Sequence, residues 1–313
     1  MGSYPRGTTR GASSVPPGAC PVERQRHGHA RDRERGAETD INTVTELVPA
    51  PGSTWRNGDA FLAGGTWLFS EPQPGTTRLL DLTGFGWPSL TETDDGLEIA
   101  ATCTLAELAR WRPAPGRDWP AATLPRQCAD ALLGSFKVHN VATVGGNICL
   151  SLPAGPMISL AAALVGTAVI WASDGMRRQV PIMDFVTGER ANVLRPGELL
   201  RSVFLPARAL RAAAACRQVS LSPVGRSAVL LIGTRAPAGG GGDSRTVLTL
   251  TAAVSRPVQV TFKGLPRPNE AVDSVDSSAT AATGYLNDVH GSARWRRAMT
   301  RRAVTEVITE LAR

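Results

Sequence analysis

Aromatic side chains are scarce in this chain of 313 residues, at 5% with only two Tyr, and there are only four His. Few general bases are therefore on offer. Neither H-E-x-x-H nor G-x-S-x-G occurs, so nothing assembles a zinc protease or a serine hydrolase. The phosphate-loop signature G-x-x-x-x-G-K-[ST] is absent as well. "GFGWPS" at 84–89 begins like a dinucleotide fingerprint but lacks the third glycine, and Pro88 sits where a helix would have to open. A Rossmann reading is rejected. The five cysteines, Cys20, Cys103, Cys128, Cys149 and Cys216, include no C-x-x-C pair and no cluster of four thiolates. Zinc-ribbon, dithiol and iron–sulfur sites lack their ligands in this chain, and the expectation is buried, reduced thiols in a cytoplasmic protein.

Long apolar runs are missing too. The longest, Met157–Trp171, is interrupted by Ser159, Gly166 and Thr167, short of the roughly 20 residues that cross a bilayer. The N-terminal arginines have no apolar core behind them, so neither a leader nor a membrane span is expected. The net charge of +7 belongs to the two ends. Residues 1–36 carry arginines at 6, 10, 24, 26, 31, 33 and 35 against Glu23, Asp32 and Glu34, and 294–313 are again arginine-rich. The stretch between is close to neutral, which argues against a nucleic-acid-binding face.

What is present is a globular composition, 42% hydrophobic and 19% charged. Residues 1–36, rich in Gly, Pro, Ser and Arg, are expected to form a disordered basic tail. From Ile41 on, strands are read at "INTVTELV", "DAFLAGG", "TRLLDLT" (77–83), "GLEIAATC", 167–172, "QVPIMDF", "ELLRSVFLP", "ACRQVSLS" and "SAVLLIGT". "TVLTLTAAV" and "PVQVTFKGL" read as a hairpin, and Ala238–Asp243 as a flexible connection. Thr104 with Glu107 forms a capping box that opens the helix "LAELARW". Further helices are read at 120–133, broken at Gly134, and at Pro153–Leu164. The C-terminal helix has its apolar stripe at Met299, Val304, Val307, Ile308 and Leu311. Strands and helices without strict βαβ alternation argue for α+β layers.

Two short strings carry the chemistry: "FLAGGTWLFS" at 61–70 and "ATVGGNICLS" at 142–151. Gly64–Gly65 and Gly145–Gly146 are pairs without Cβ that reach positive φ and let backbone amides approach an anion. Thr66 and Thr143 add a hydroxyl beside each pair. Either pair alone also reads as a tight turn after a strand.

"FLAGGTWL" followed by "VHNVATVGGNICLSLP" resembles the FAD-binding medium subunit of the molybdenum hydroxylases, the xanthine dehydrogenase and carbon monoxide dehydrogenase family. The resemblance continues through "VPIMDFVTG…LRPGELLRSVFLP" and "CRQVSLSPVGRSAVLLIG" to "DVHGSARWRRAM", covering about 41–313. It implies a two-subdomain FAD-binding fold of the vanillyl-alcohol-oxidase/PCMH type, followed by a small α+β C-terminal domain with a three-stranded sheet. Mapped here, 37–207 would be the FAD-binding domain, split near 92–96, and 208–313 the C-terminal flavoprotein domain.

The resemblance also implies the site. Phe61, Leu62, Ala63, Gly64, Gly65, Thr66, Trp67 and Leu68 would form a first loop with amides on the FAD pyrophosphate. Thr143, Val144, Gly145, Gly146 and Asn147 would form a second. Leu133 would pack near the flavin, Leu200 would contribute a backbone contact, and Arg217 stands where relatives often have a lysine. Relatives often carry an acidic residue at Pro156 and Asp, Ser or Glu at Trp67. No residue is expected to be catalytic, since the flavin itself reacts, and no metal is expected. The implied function is an electron-transfer oxidoreductase subunit, with molybdopterin and [2Fe–2S] clusters in a large and a small partner subunit and NAD⁺ or another acceptor. A stand-alone FAD oxidoreductase of the same fold and a scaffold that has lost its flavin remain alternatives.

Overall fold

The computed structural model describes residues 43–223, 225–236 and 244–313. The expected tail over 1–36 and the expected flexible connection Ala238–Asp243 lie outside the described residues. The chain begins with a small parallel sheet of β1 (Glu46–Pro49), β2 (Asp59–Leu62) and β3 (Arg78–Asp81) in the order β1-β3-β2. One buried pair pins β2 to β3. The Arg78 Nε and a terminal nitrogen donate to the two Asp59 oxygens at 2.8 and 2.6 Å, and the Arg56 amide adds a third bond at 2.8 Å. The "LAGGTWL" stretch leaves the end of β2 as a loop.

A hairpin, β4 (Leu90–Glu92) and β5 (Gly96–Ala100), then starts a second sheet. Thr104 closes the expected capping box with Glu107 and opens α1 (Leu105–Arg110). The expected helix 120–133 is broken into a 3₁₀ turn, Pro120–Thr123, and α2 (Leu124–Asp130). Next come the short α3 (Phe136–His139), α4 (Val144–Leu150) and α5 (Pro156–Ala163), every residue of α5 buried. Strand β6 (Thr167–Ala172) pairs with β7 (Arg177–Pro181). The "QVPIMDF" reading is corrected here: strand ends at Pro181, and Ile182–Phe185 form one turn of helix, α6, with Ile182 and Phe185 both buried. A two-rung hairpin, β8 (Val186–Gly188) and β9 (Ala191–Asn192), leads to β10 (Glu198–Pro206). That long strand lies central in the sheet β4-β5-β10-β6-β7, antiparallel throughout. The core beneath it joins Leu97, Ile99, Leu105, Leu124, Ile148, Met157, Leu160 and Phe185.

After the turn α7 (Ala207–Leu210), an antiparallel meander follows: β11 (Ala213–Val219), β12 (Val229–Ala236), β13 (Arg245–Thr251) and β14 (Val258–Lys263). This sheet has four strands where the family resemblance implied three. Two helices cover one face of it. The expected C-terminal helix is α9 (Ala293–Leu311), and α8 (Pro268–Ala282) was not read from the sequence. Their apolar stripes, Val272, Val275 and Ala279 on α8 and Val304, Val307, Ile308 and Leu311 on α9, meet Val229, Leu231, Leu248 and Leu250 of the sheet. Among the described residues no helix is long and apolar enough to cross a membrane.

Candidate cofactor-binding site

A cavity of about 630 Å³ opens where the loop after β2, the segment 131–155, the start of β10 and Arg226–Ser227 face one another. Phe61, Leu62, Ala63, Gly64, Gly65, Thr66, Trp67 and Leu68 all line it, as do Leu133, Thr143, Gly145, Gly146, Asn147 and Leu200. Val144 does not: it is buried in the core as the first residue of α4. Arg217 does not either. Its guanidinium turns to α9, bonding Glu306 at 3.1 Å and also Glu310. Two carboxylates one helical turn apart make a better partner for an Arg on β11 than open solvent.

The two glycine strings are built differently. Gly65 sits at φ +69°, the left-handed region that glycine enters without strain. A Cβ on Gly64 would overlap the carbonyl oxygen of Val141, so this loop docks directly on the backbone that precedes α4. The loop closes on itself with Phe69 N–H donating to Gly65 O and Ser70 N–H to Trp67 O, both at 2.9 Å. The amides of Gly64, Gly65, Thr66, Trp67 and Leu68 have no acceptor among the described residues. Such a run of unpaired amides is unusual in a folded protein unless water or a ligand meets it.

The second string spends its amides internally. Val144 donates to Cys103 O at 2.8 Å, Gly145 to Ala101 O at 2.9 Å and Gly146 to the Thr143 hydroxyl at 3.1 Å. Neither Gly145 nor Gly146 has positive φ, contrary to the turn expectation; both lie in the first turn of α4. Gly145 is glycine for another reason. A Cβ there would stand 2.7 Å from Ala101 Cα, so its absence seats α4 against the end of β5. Asn147 Oδ1 accepts the Met157 amide at 3.1 Å and ties α4 to α5. The first string therefore presents donors, and the second holds the wall opposite.

The rest of the wall is mainly apolar, with Leu132, Val138, Leu199 and Leu200 among its residues. Its charged members, Arg190, Arg226 and Glu198, were not read from the sequence, and no local motif marks them. Glu198 is neutralised by Arg178, which reaches it at 2.6 and 2.9 Å, while the Arg195 amide donates at 2.8 Å. The hydrogen bonds from Arg178 hold the Glu198 carboxyl below its ordinary range against the opposing effect of burial. A lowered folded pKa contributes stability above the ordinary Glu value, and that stability is lost as pH falls through the folded value. Arg178→Met is therefore expected to destabilise the chain by about 3 kcal/mol at pH 7, since it leaves a buried carboxylate unpaired. The penalty should shrink as the pH falls into and below the ordinary Glu range and the carboxylate protonates. Urea unfolding of both proteins at pH 7 and pH 4 checks this, and an equal penalty at the two values refutes it.

The Cys149 thiol, also on the wall, is pushed up to about 12 by burial, as are Cys103 and Cys216. These thiols stay protonated at neutral pH; of the cysteines expected to be buried and reduced, the four described are free, Cys103 and Cys128 buried and Cys149 and Cys216 partly so. Among the described residues no group of His, Cys, Asp and Glu is placed to hold a metal ion.

The residues suit a dinucleotide with a flat apolar end. Free amides and a missing Cβ fit a pyrophosphate, and leucine walls fit a fused ring. A small parallel sheet and a larger antiparallel one, enclosing a glycine-lined cavity, define a flavin-binding α+β module. The chain belongs to the family of FAD-binding domains in molybdopterin dehydrogenases, whose model matches residues 40–208. It is 31% identical over 126 residues to xanthine dehydrogenase of Dictyostelium discoideum, a match covering 36% of this chain and 9% of the relative. To aldehyde oxidase 2 of Cavia porcellus it is 32% identical over 123 residues, covering 38% and 9%. The matched segment is thus a small part of these curated relatives. Among solved structures, reconstituted CO dehydrogenase from Oligotropha carboxidovorans superposes with a TM-score of 0.71 at 18% identity, over 85% of this chain and 96% of that one. Quinoline 2-oxidoreductase from Pseudomonas putida 86 gives 0.68 at 20% identity, over 86% and 96%. These two likenesses establish the fold.

Proposed function

We propose that the chain is the FAD-holding, electron-transfer component of a molybdenum hydroxylase, taking electrons from [2Fe–2S] clusters of a partner and delivering them to NAD⁺ or another acceptor. The molybdopterin centre and the iron–sulfur clusters would belong to partner subunits. The observation that carries the reading is the run of acceptor-free amides from Gly64 to Leu68 on the wall of a cavity, within a segment that matches an FAD-binding domain. These amides would bind the pyrophosphate. The Thr143–Asn147 turn would fix the loop in place, and Leu133 and Leu200 would exclude water from the ring. In this reading residues 37–207 hold the cofactor and 208–313 close the site. When bound, FAD supplies reversible one- and two-electron redox chemistry, which no side chain provides. A scaffold without flavin would leave that amide run without a ligand.

The test is direct. The full chain, purified and heat-denatured, should release FAD in stoichiometric amount, and in its native host it should co-purify with a molybdopterin-containing and a [2Fe–2S]-containing polypeptide. A flavin-free chain that takes up no added FAD overturns the cofactor assignment. An FAD-loaded chain that purifies alone and reduces its own substrate overturns the electron-transfer role.

A further inference from the structure

The geometry points to Arg190 as the charge-bearing residue of the phosphate cradle. This rests on the FAD reading above and assigns it a side chain outside both glycine strings. From Asn57 to Thr77 the sequence contains no lysine or arginine, so the loop with the free amides brings no cation of its own. The flanking arginines are committed elsewhere, Arg56 to Glu46 at 2.6 Å and Arg78 to Asp59 at 2.6 Å. A pyrophosphate in the cradle would then meet amide dipoles only, and its charge would need a counterpart from another segment.

Two arginines reach the cavity. Arg226 lies beside Ser227, whose hydroxyl donates to Ala131 O, so it belongs to the wall around Ala131–Leu133. Arg190 belongs to the amide loop: its guanidinium carbon sits 5.6 Å from the centre of the Trp67 ring, within the run of free amides. The indole face holds the cation without neutralising it. Arg190 makes no ion pair and no side-chain hydrogen bond to a described residue.

The backbone supplies an independent sign. Arg190 occupies the β8–β9 turn at φ +55°, and its amide donates at 3.0 Å to the carbonyl of Ser151, itself at φ +52°. Glycine would adopt that turn without strain, whereas a long side chain there costs on the order of 1 kcal/mol. Within the described fold the stacking on Trp67, worth about 0.5–1 kcal/mol, offsets that cost at most in part and leaves the charge unneutralised. A ligand phosphate at the neighbouring amides would neutralise it.

Arg190→Gly separates the two roles, since it relieves the strained backbone while deleting the charge. Apoprotein of the full chain is titrated with FAD and, separately, with riboflavin, which has the same ring but no phosphate. For Arg190→Gly the expected result is FAD binding weakened about 10- to 100-fold, the range of one charge-assisted hydrogen-bonded contact. Riboflavin binding should change less than about twofold, with a thermal midpoint no lower than that of the unmodified chain. Arg190→Lys should recover part of the FAD affinity, and the salt dependence of FAD binding should flatten in Arg190→Gly alone. Unchanged FAD affinity, or equal loss of FAD and riboflavin, overturns the assignment while the FAD reading stands. An unmodified chain that binds neither flavin overturns both.

Discussion

Arg296→Met is expected to lower the unfolding free energy by about 4 kcal/mol, the range seen when one partner of a buried ionic network is removed. Arg296 is 1% exposed and lies in the first turn of α9. A cation at that end opposes the helix dipole, so its presence needs a local cause. The cause is four acceptors. Nε donates to Gly291 O at 3.1 Å, one terminal nitrogen to Ala228 O and Ala252 O at 2.7 Å each, and the other to Asp288 at 2.6 Å. One planar side chain thereby joins the entry of α9 to the start of β12 and the end of β13. Methionine fills the space but strands three carbonyls on buried residues, without water to replace the donor, and takes the guanidinium from the partly exposed Asp288 carboxylate. Ala228 follows Arg226 and Ser227 on the cavity wall, so FAD affinity should fall together with stability. Urea unfolding of the two proteins measures the first effect; a loss under about 1 kcal/mol, the worth of a single ordinary hydrogen bond, refutes the network.

Gly64→Ala is expected to abolish FAD retention, more than about 100-fold in affinity, which is close to 3 kcal/mol. The added Cβ overlaps a backbone carbonyl, that of Val141, and backbone does not step aside as a side chain does. The loop must lift, and its row of amides lifts with it. Gly146→Ala is the control. Its Cβ meets only the Thr143 hydroxyl at 3.0 Å, and alanine is the better helix former by about 1 kcal/mol. That variant should keep its flavin and its stability to within about 0.5 kcal/mol. The ratio of flavin to protein absorbance after purification decides between them. Full flavin in Gly64→Ala, or none in Gly146→Ala, contradicts the division of labour between the two strings.

Much of the chain could be read before the structure, and the reasons for the misses are physical. Strands such as "TRLLDLT" and "ELLRSVFLP" combine leucine-rich runs with clear glycine and proline boundaries; the second formed whole, the first over Arg78–Asp81, with a 3₁₀ turn from Leu82. The Thr104–Glu107 box declared its helix because capping is local chemistry. "IMDF" failed as a strand because its buried pair, Ile182 and Phe185, is three apart and shares a helical face, a spacing that four positions following the strand "QVP" are too few to declare. Helix α8 was hidden because its buried face is built from Ala and Val among Asp, Ser and Thr, which looks like a loop by composition. The glycine pairs were found, yet two adjacent glycines do not say whether they serve a left-handed turn or a close helix–strand contact. That depends on Val141 and Ala101, each remote in sequence from the glycine it meets. The surroundings of Arg217 were hidden for the same reason, as its partners Glu306 and Glu310 lie on the last helix. Arg190 and Arg226 carry no motif, and only the fold brings them to the cavity.

The walls of that cavity run from Phe61 to Ser227 in sequence and draw on loops from all three larger sheets. No single loop or sheet contains the site, so a ligand seated there is bound by the folded state alone. Ligand supply then enters the folding equilibrium by mass action. At a free concentration of 100 times Kd it adds about 2.7 kcal/mol to the folded state, comparable with the loss from a damaging core substitution. A chain built this way couples its lifetime in the cell to the availability of its cofactor: molecules made when flavin is short open more often and are cleared first.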